Sequence, residues 1–166
     1  LGFATAATGG FTLGTEQAAS GSAITFGSIP AGTKVIIVSW VDISHSGAAG
    51  QLSLQLGDAG GLETTGYLSA GTDLTNASGV VVTALTTAFQ LNSTSVASHT
   101  CNGAVTLVLE DSTDFTWTLQ GTGWNDDAGF ISAFSGRKAL SAELTQLAIN
   151  TSGTYDAGVF NIAYIG

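Results

Sequence analysis

The chain has 166 residues, of which 44% are apolar and only 9% are charged, and its formal net charge at pH 7 is −9. Charged residues usually make up about 25% of a globular domain, so Ser, Thr, Asn, Gln and Gly must cover most of this surface. The three basic residues, Lys34, Arg137 and Lys138, are too few to neutralise a nucleic acid or to hold an anionic membrane, which argues against both partners.

The N-terminal part of the chain differs in composition from the rest. Residues 1–21 are small, polar and rich in glycine, and we predict that they form an extended arm that either frays or crosses onto a neighbouring subunit. Residues 22–29 alternate around Ile24 and Phe26 and predict the first strand. We therefore expect a β-domain over residues 22–166.

The longest apolar strand runs from residue 33 to residue 43. It is apolar on both faces, and such a strand must be covered on both sides. One predicted face carries Val35, Ile37, Val41 and Ile43, and the other carries Ile36, Val38 and Trp40. Unless the same chain covers the second face, we expect Ile36, Val38 and Trp40 to form a subunit interface, and a homotrimer is the expected assembly.

The remaining strands are predicted from period-two alternation and from turn residues. Turns or loops are expected at 57–61, 70–79, 92–100, 111–114, 121–129, 135–136 and 150–154. Strands are expected at 52–56, 64–69, 80–85, 87–91, 103–110, 115–120, 129–134, 137–141, 143–149 and 157–165. About ten short strands predict an all-β antiparallel fold, a jelly-roll-like β-sandwich or a closed barrel, and we favour the sandwich.

Few residues in the chain are suited to catalysis. His45 follows Asp42 and Ser44, but neighbours in one strand point to opposite faces and cannot form a proton relay. His99 lies near the single cysteine, Cys101, without a sequence context that would activate a thiol. One cysteine excludes an intrachain disulfide and a CxxC metal site. We therefore expect no enzymatic activity, no cofactor and no metal.

Two kinds of ligand contact are worth testing. Trp124, Asn125, Asp126 and Asp127 form the most sugar-like local cluster, an aromatic ring with amide and carboxylate groups beside it, and the alternative is a tryptophan that anchors a long loop. Calcium could bind Asp126 with Asp127, or Asp58 with Glu63, because these are hard oxygen donors. Ordinary turn chemistry is the favoured interpretation of the paired acids.

Transmembrane helices and signal peptides are both marked in a sequence by a long apolar run. No apolar run is long enough for a transmembrane helix. The segment LGFATAATGGFTLG has neither the basic start nor the long apolar centre of a signal peptide. We therefore expect neither feature in this sequence.

Four segments together resemble phage virion structural proteins of the tail-fibre-like and capsid-decoration kind. They are FGSIPAGTKVIIVSWVDIS, QLSLQLGDAGGLETTGYLS, ALSAELTQLAI and TYDAGVFNIAYIG. The similarity begins at about Phe26, and residues 1–20 do not take part in it. The resemblance implies a non-enzymatic virion component, and it carries over no binding residues.

The expected function is therefore structural. We expect an extracellular virion protein, a capsid decoration (cement) protein or a fibre module, whose partners are copies of itself and other virion proteins. The alternative is a receptor module of a tail fibre that binds a host glycan.

Overall fold

A computed structural model describes residues 9–46, 51–75, 79–91, 97, 99–125 and 129–166. Within these residues, thirteen strands are formed. They are β1 Thr12–Leu13, β2 Gln17–Ala18, β3 Gly21–Phe26, β4 Val35–Ser46, β5 Leu52–Asp58, β6 Gly61–Leu62, β7 Leu68–Thr75, β8 Gly79–Leu85, β9 Phe89–Gln90, β10 Cys101–Asp111, β11 Thr116–Asn125, β12 Phe130–Ala139 and β13 Gln146–Ile165. No helix in the described part of the chain is long and apolar enough to cross a membrane.

The strands form a single, strongly curled antiparallel sheet that resembles half of a barrel. Its main path has nine strands in the order β6-β5-β13-β4-β10-β11-β12-β7-β8, while β1, β2 and β3 pair with β13, and β9 pairs with β5. The prediction of an all-β antiparallel fold is confirmed. The hydrogen bonds do not divide the strands into two separate sheets.

Strand β13 is the spine of the sheet because it has partners along both edges. On one edge it pairs first with β5 and then with β4. On the other edge it pairs with β3, β2 and β1, so that Thr12 lies opposite Tyr164. The part of the predicted N-terminal arm from residue 12 to residue 18 therefore contacts β13 of its own chain.

Strand β9 links the two ends of the curled sheet. Leu91 donates its backbone N–H to the carbonyl of Leu52 over 3.0 Å, while the N–H of Gln90 donates to Ser69 Oγ of β7 over 2.8 Å. The ring of Phe89 packs edge-on against Tyr67, with 5.0 Å between the ring centroids. The apolar core fills the concave side of the curled sheet.

Several predicted turns are strand in the structure. β12 runs without a break through Ser135 and Gly136, and β7, β11 and β13 extend through predicted loops at 70–75, 121–125 and 150–154. A Cβ on Gly136 would lie 2.8 Å from the carbonyl oxygen of Leu68. This glycine serves close packing between strands, and glycine inside a strand often has that role.

The face of β4 that carries Ile36, Val38 and Trp40 points into the core. These side chains are 0%, 0% and 2% exposed, so the chain itself buries them and the predicted subunit interface at these residues is wrong. The predicted alternation also fails beyond Val41. Asp42 has a positive φ of 53° at a register irregularity with β10, and this bulge turns Ile43 inward.

Candidate functional site

The outer face of β7, β12 and β11 is a continuous surface with little charge. Alternate residues of each strand point outward, and most of them are Ala, Ser or Thr. Among the outward residues of these three strands, only Arg137 is charged. A surface with so little charge can pack closely against another surface because few ions must lose their hydration.

Three exposed apolar side chains lie in one row across this face. Trp124 of β11 is the register partner of Ile131 of β12, and Ile131 is the partner of Leu74 of β7. Trp124, Ile131 and Leu74 are 49%, 51% and 51% exposed, respectively. We call these three residues the apolar row. Large apolar side chains grouped in this way are typical of an interaction surface.

A shallow groove of about 360 Å³ runs beside Trp124, between Asn102 and Ile131. Gly103 and Gly123 contribute to its lining. A Cβ on Gly103 would lie 2.7 Å from the carbonyl oxygen of Thr122, so glycine is required for the close approach of β10 and β11. Trp124 lines this groove and is about half exposed.

The predicted sugar-binding cluster is not brought together on this face. Asn125 is only 1% exposed, and its Nδ2 donates to the sulfur of Cys101 over 3.5 Å. Because β11 continues to Asn125, Trp124 and Asn125 point to opposite faces of the sheet. Asp126 and Asp127 lie outside the described residues.

Ser44 and Cys101 each form a hydrogen bond with a residue other than a histidine. The hydroxyl of Ser44 donates to the carboxylate of Asp156, whereas His45 is buried, with 1% of its surface exposed. Cys101 is a buried thiol that accepts the hydrogen bond from Asn125.

A partly buried ion pair lies between Glu63, which follows β6, and Lys138, near the end of β12. Lys138 is 5% exposed, and its ammonium donates to Glu63 and to the carbonyl of Ala139, the latter over 2.6 Å. Ser141 donates its backbone N–H to Glu63 over 2.7 Å and its hydroxyl to Asp58 over 2.6 Å. We call Asp58, Glu63, Lys138 and Ser141 the polar cluster.

The hydrogen bonds of the polar cluster shift the acidity of both carboxyl groups. Burial raises the pKa of Glu63, but the hydrogen bonds from Lys138 and Ser141 outweigh it, and the net pKa is below the ordinary value of 4.5. The Ser141 hydroxyl and the Gly60 N–H lower the pKa of Asp58.

The polar cluster contains Asp58 and Glu63, the pair of carboxylates that the sequence analysis named as possible calcium ligands. Both carboxylates accept hydrogen bonds within the chain, and Glu63 already has a cation as its partner. No group of three or more His, Cys, Asp or Glu side chains in the described part is arranged to hold a metal. Sequence reasoning missed Lys138. The sequence signal for a buried charge was the position of this lysine, which falls among the inward residues of the alternating strand β12.

Comparison with models of known protein families found no match. A search of curated proteins also found none. The candidate site is therefore defined by geometry alone: an outer sheet face with little charge, an apolar row across it and a groove beside Trp124. This arrangement can bind a complementary surface.

Proposed function

We propose that this chain is a non-enzymatic structural protein of a phage virion, a capsid decoration protein or a fibre module outside the cell, and that it assembles with copies of itself as a homotrimer. The proposed self-assembly is supported by the apolar row, which lies on a face with little charge. The virion part rests on the four sequence segments that resemble virion proteins.

The outer face, rather than the buried residues of β4, is the proposed contact with the neighbouring copies. Trp124, Ile131 and Leu74 are each about half exposed, and burial of one large apolar side chain is worth roughly 1.5–3 kcal/mol when complete. Burial of these three side chains in each subunit of a closed ring favours association. The surfaces that then meet carry little charge, because Arg137 is the one charged residue among the outward residues of β7, β11 and β12.

Sedimentation of the purified chain at micromolar concentration tests this assembly. We expect a trimeric mass for the unchanged chain and a monomeric mass for Ile131→Lys, which places a charge in the middle of the apolar row. Leu13→Lys is the matched control because Leu13 is 72% exposed and lies away from the row on β1. A monomer at every concentration, or an Ile131→Lys trimer, would contradict the proposed interface.

The virion part needs a separate test. Antibodies raised against the purified chain are expected to label intact phage particles in electron micrographs. Particles that contain no labelled copies would overturn the assignment to a virion, even if the purified chain forms a trimer.

We also propose that the curled sheet acts as two facing layers, in the manner of a jelly-roll sandwich. Support comes from β9, which pairs with β5 and contacts Ser69 of β7 through Gln90. Hydrogen exchange is expected to protect β9 as strongly as the strands that it joins. Rapid exchange of Phe89 and Gln90 alone would contradict a closed arrangement.

Glycan binding by a fibre receptor module is the second candidate function, and the groove beside Trp124 favours it. An exposed indole face above a shallow groove is suited to stacking against the CH face of a sugar ring. Saturable binding of host polysaccharide that is lost in Trp124→Ala would support this function. Equal binding by the unchanged chain and Trp124→Ala would rule out Trp124 as the contact.

A further inference from the structure

A second cavity, of about 230 Å³, lies at the opposite end of β11 from Trp124. It opens between the turn before β4, the turn that joins β10 to β11 and the segment that precedes β13. Its lining is Gly32, Thr33, Lys34, Leu109, Ser112, Phe115, Trp117, Glu143 and Leu144. A cavity of about 150 Å³ can hold benzene, so this cavity has room for one six-membered ring.

The cavity has an apolar floor and partly accessible apolar walls. Trp117 and Leu144 are only 1% and 2% exposed, whereas Leu109 and Phe115 are half-buried. Phe115 has a positive φ of 52°, an unfavourable conformation for a bulky residue. Strain of this kind persists only where the surrounding structure enforces it, and it is frequent at ligand-binding positions.

The side chain of Trp117 belongs to the lining of the cavity. Its indole N–H is buried and has no acceptor among the described residues. Because this atom is buried, a ligand in the cavity contacts the ring of Trp117 rather than its N–H group.

The mouth of the cavity presents hydrogen-bonding groups of both kinds. Lys34, Ser112 and Glu143 are exposed residues of the lining. Glu143 Oε1 accepts the N–H of Gly32 over 2.7 Å, which helps to hold its carboxylate in place. Lys34 can donate, Glu143 can accept, and the Ser112 hydroxyl can do both.

From this combination we propose that the cavity binds a single neutral hexopyranose residue. The apolar CH face of the sugar packs against Phe115 and Leu109, and its hydroxyl groups exchange hydrogen bonds with Lys34, Glu143 and Ser112. A purely apolar ring would leave the polar mouth unused. An acidic sugar would place its carboxylate near Glu143 as well as Lys34, and the net charge of −9 on the whole chain disfavours an anion. This site is independent of the proposed trimer contact and of the groove beside Trp124.

Nuclear magnetic resonance of the indole N–H groups tests the proposal. The chain has three tryptophans, and Trp117→Phe identifies the Trp117 signal by its loss. Titration uses the methyl glycosides of glucose, galactose, mannose and N-acetylglucosamine up to their solubility limits. We expect at least one of them to shift the Trp117 signal in a saturable manner, whereas none of the four doing so would overturn the proposal.

Three substitutions locate the binding. Ser112→Trp blocks the mouth from an exposed position without changing the core, and it should abolish the shift. Glu143→Gln keeps the shape of the side chain and should weaken binding about fivefold through the loss of a charged acceptor. Val82→Ala, at an exposed position of β8 outside the cavity lining, should leave the affinity unchanged. Full binding by Ser112→Trp would place the sugar elsewhere and overturn the site.

Two further ligands test the chemical class. Methyl glucuronide should bind more weakly than methyl glucoside because of repulsion by Glu143. Cyclohexanol, which fills the cavity but has one hydroxyl, should also bind more weakly. If either compound binds more tightly than every neutral glycoside, the assignment to a neutral sugar is wrong.

Discussion

Replacement of Lys138 by methionine should reveal how strongly the polar cluster stabilises the fold. Methionine fills a similar volume but leaves the Glu63 carboxylate, which is 21% exposed, without its cation. Removal of one partner from a buried ion pair typically costs about 3–5 kcal/mol. We expect about 3 kcal/mol, the lower limit, because Glu63 keeps the N–H of Ser141 and some contact with water.

The same substitution removes a second favourable contact. The ammonium of Lys138 lies 5.5 Å from the centroid of the Tyr67 ring, an arrangement that can add a cation–π attraction. For a chain of this size, a loss of about 3 kcal/mol lowers the melting temperature by roughly 6–12 °C. Thermal and urea unfolding, followed by circular dichroism, measure both quantities.

A neighbouring residue provides the control. Arg137→Met removes a positive charge from the exposed outer face and should cost less than about 0.5 kcal/mol. Combining Lys138→Met with Glu63→Gln should restore part of the lost stability, because no carboxylate is then left without its cation. If Lys138→Met costs no more than Arg137→Met, the buried pair does not stabilise the fold in the way proposed.

The polar cluster also predicts how stability depends on acid. The folded-state pKa of Glu63 is below its ordinary value of 4.5, so its stabilisation is complete above that pH and is lost as the pH falls through the folded pKa. Urea unfolding at a series of acidic pH values should show this loss in the unchanged chain. The dependence should be weaker in Lys138→Met. Equal slopes would exclude Lys138 as the cause.

Two further changes test the core and the bulge. Burial raises the pKa of Tyr67 to about 12. The contribution of Tyr67 to the unfolding free energy should therefore be complete below pH 10 and lost as the pH rises towards 12. Urea unfolding at a series of alkaline pH values should show a weaker loss of stability in Tyr67→Phe than in the unchanged chain, and equal losses would contradict this cause. Gly158→Ala should cost about 2 kcal/mol because Gly158 has a φ of 94° and the new Cβ would lie 2.5 Å from the carbonyl oxygen of Asp42. Gly27→Ala, where nothing lies within 4 Å, is the control, and equal melting temperatures for the two variants would contradict the argument.

The period-two alternation of apolar residues was sufficient to predict an all-β fold but not the lengths of the strands. Glycine and serine inside β12, such as Ser135 and Gly136, look like a turn in sequence, yet they pair with Gln120 and Leu119 of β11. Gly136 must lack a side chain because Leu68, which is remote in sequence, lies close to it in the sheet. Turn propensity is local, whereas sheet packing is not.

The predicted orientation of the side chains of β4 was wrong for the same physical reason. One bulge at Asp42 reverses the alternation of β4, and nothing in the residues around it distinguishes this aspartate from an ordinary strand residue. The inward Lys138 is similar, because Glu63, which makes its burial tolerable, is 75 residues away in sequence. A buried charge can be suspected from alternation, but its partner must be found in three dimensions.

The two tryptophans of β11 show why assembly and ligand binding can be tested separately in this chain. Trp117 is buried and Trp124 is half exposed, and seven steps of about 3.3 Å place them roughly 23 Å apart along the strand. Direct contact between their ligands is therefore excluded unless a ligand is long enough to span the strand. The pairing of β11 with β12 is unbroken, and the pairing of β11 with β10 has one bulge, beside Trp117. Both ends of β11 are therefore held in one sheet, and a substitution at one end should leave the geometry of the other unchanged. A change in sugar affinity upon Ile131→Lys would then require the assembly itself to alter the cavity.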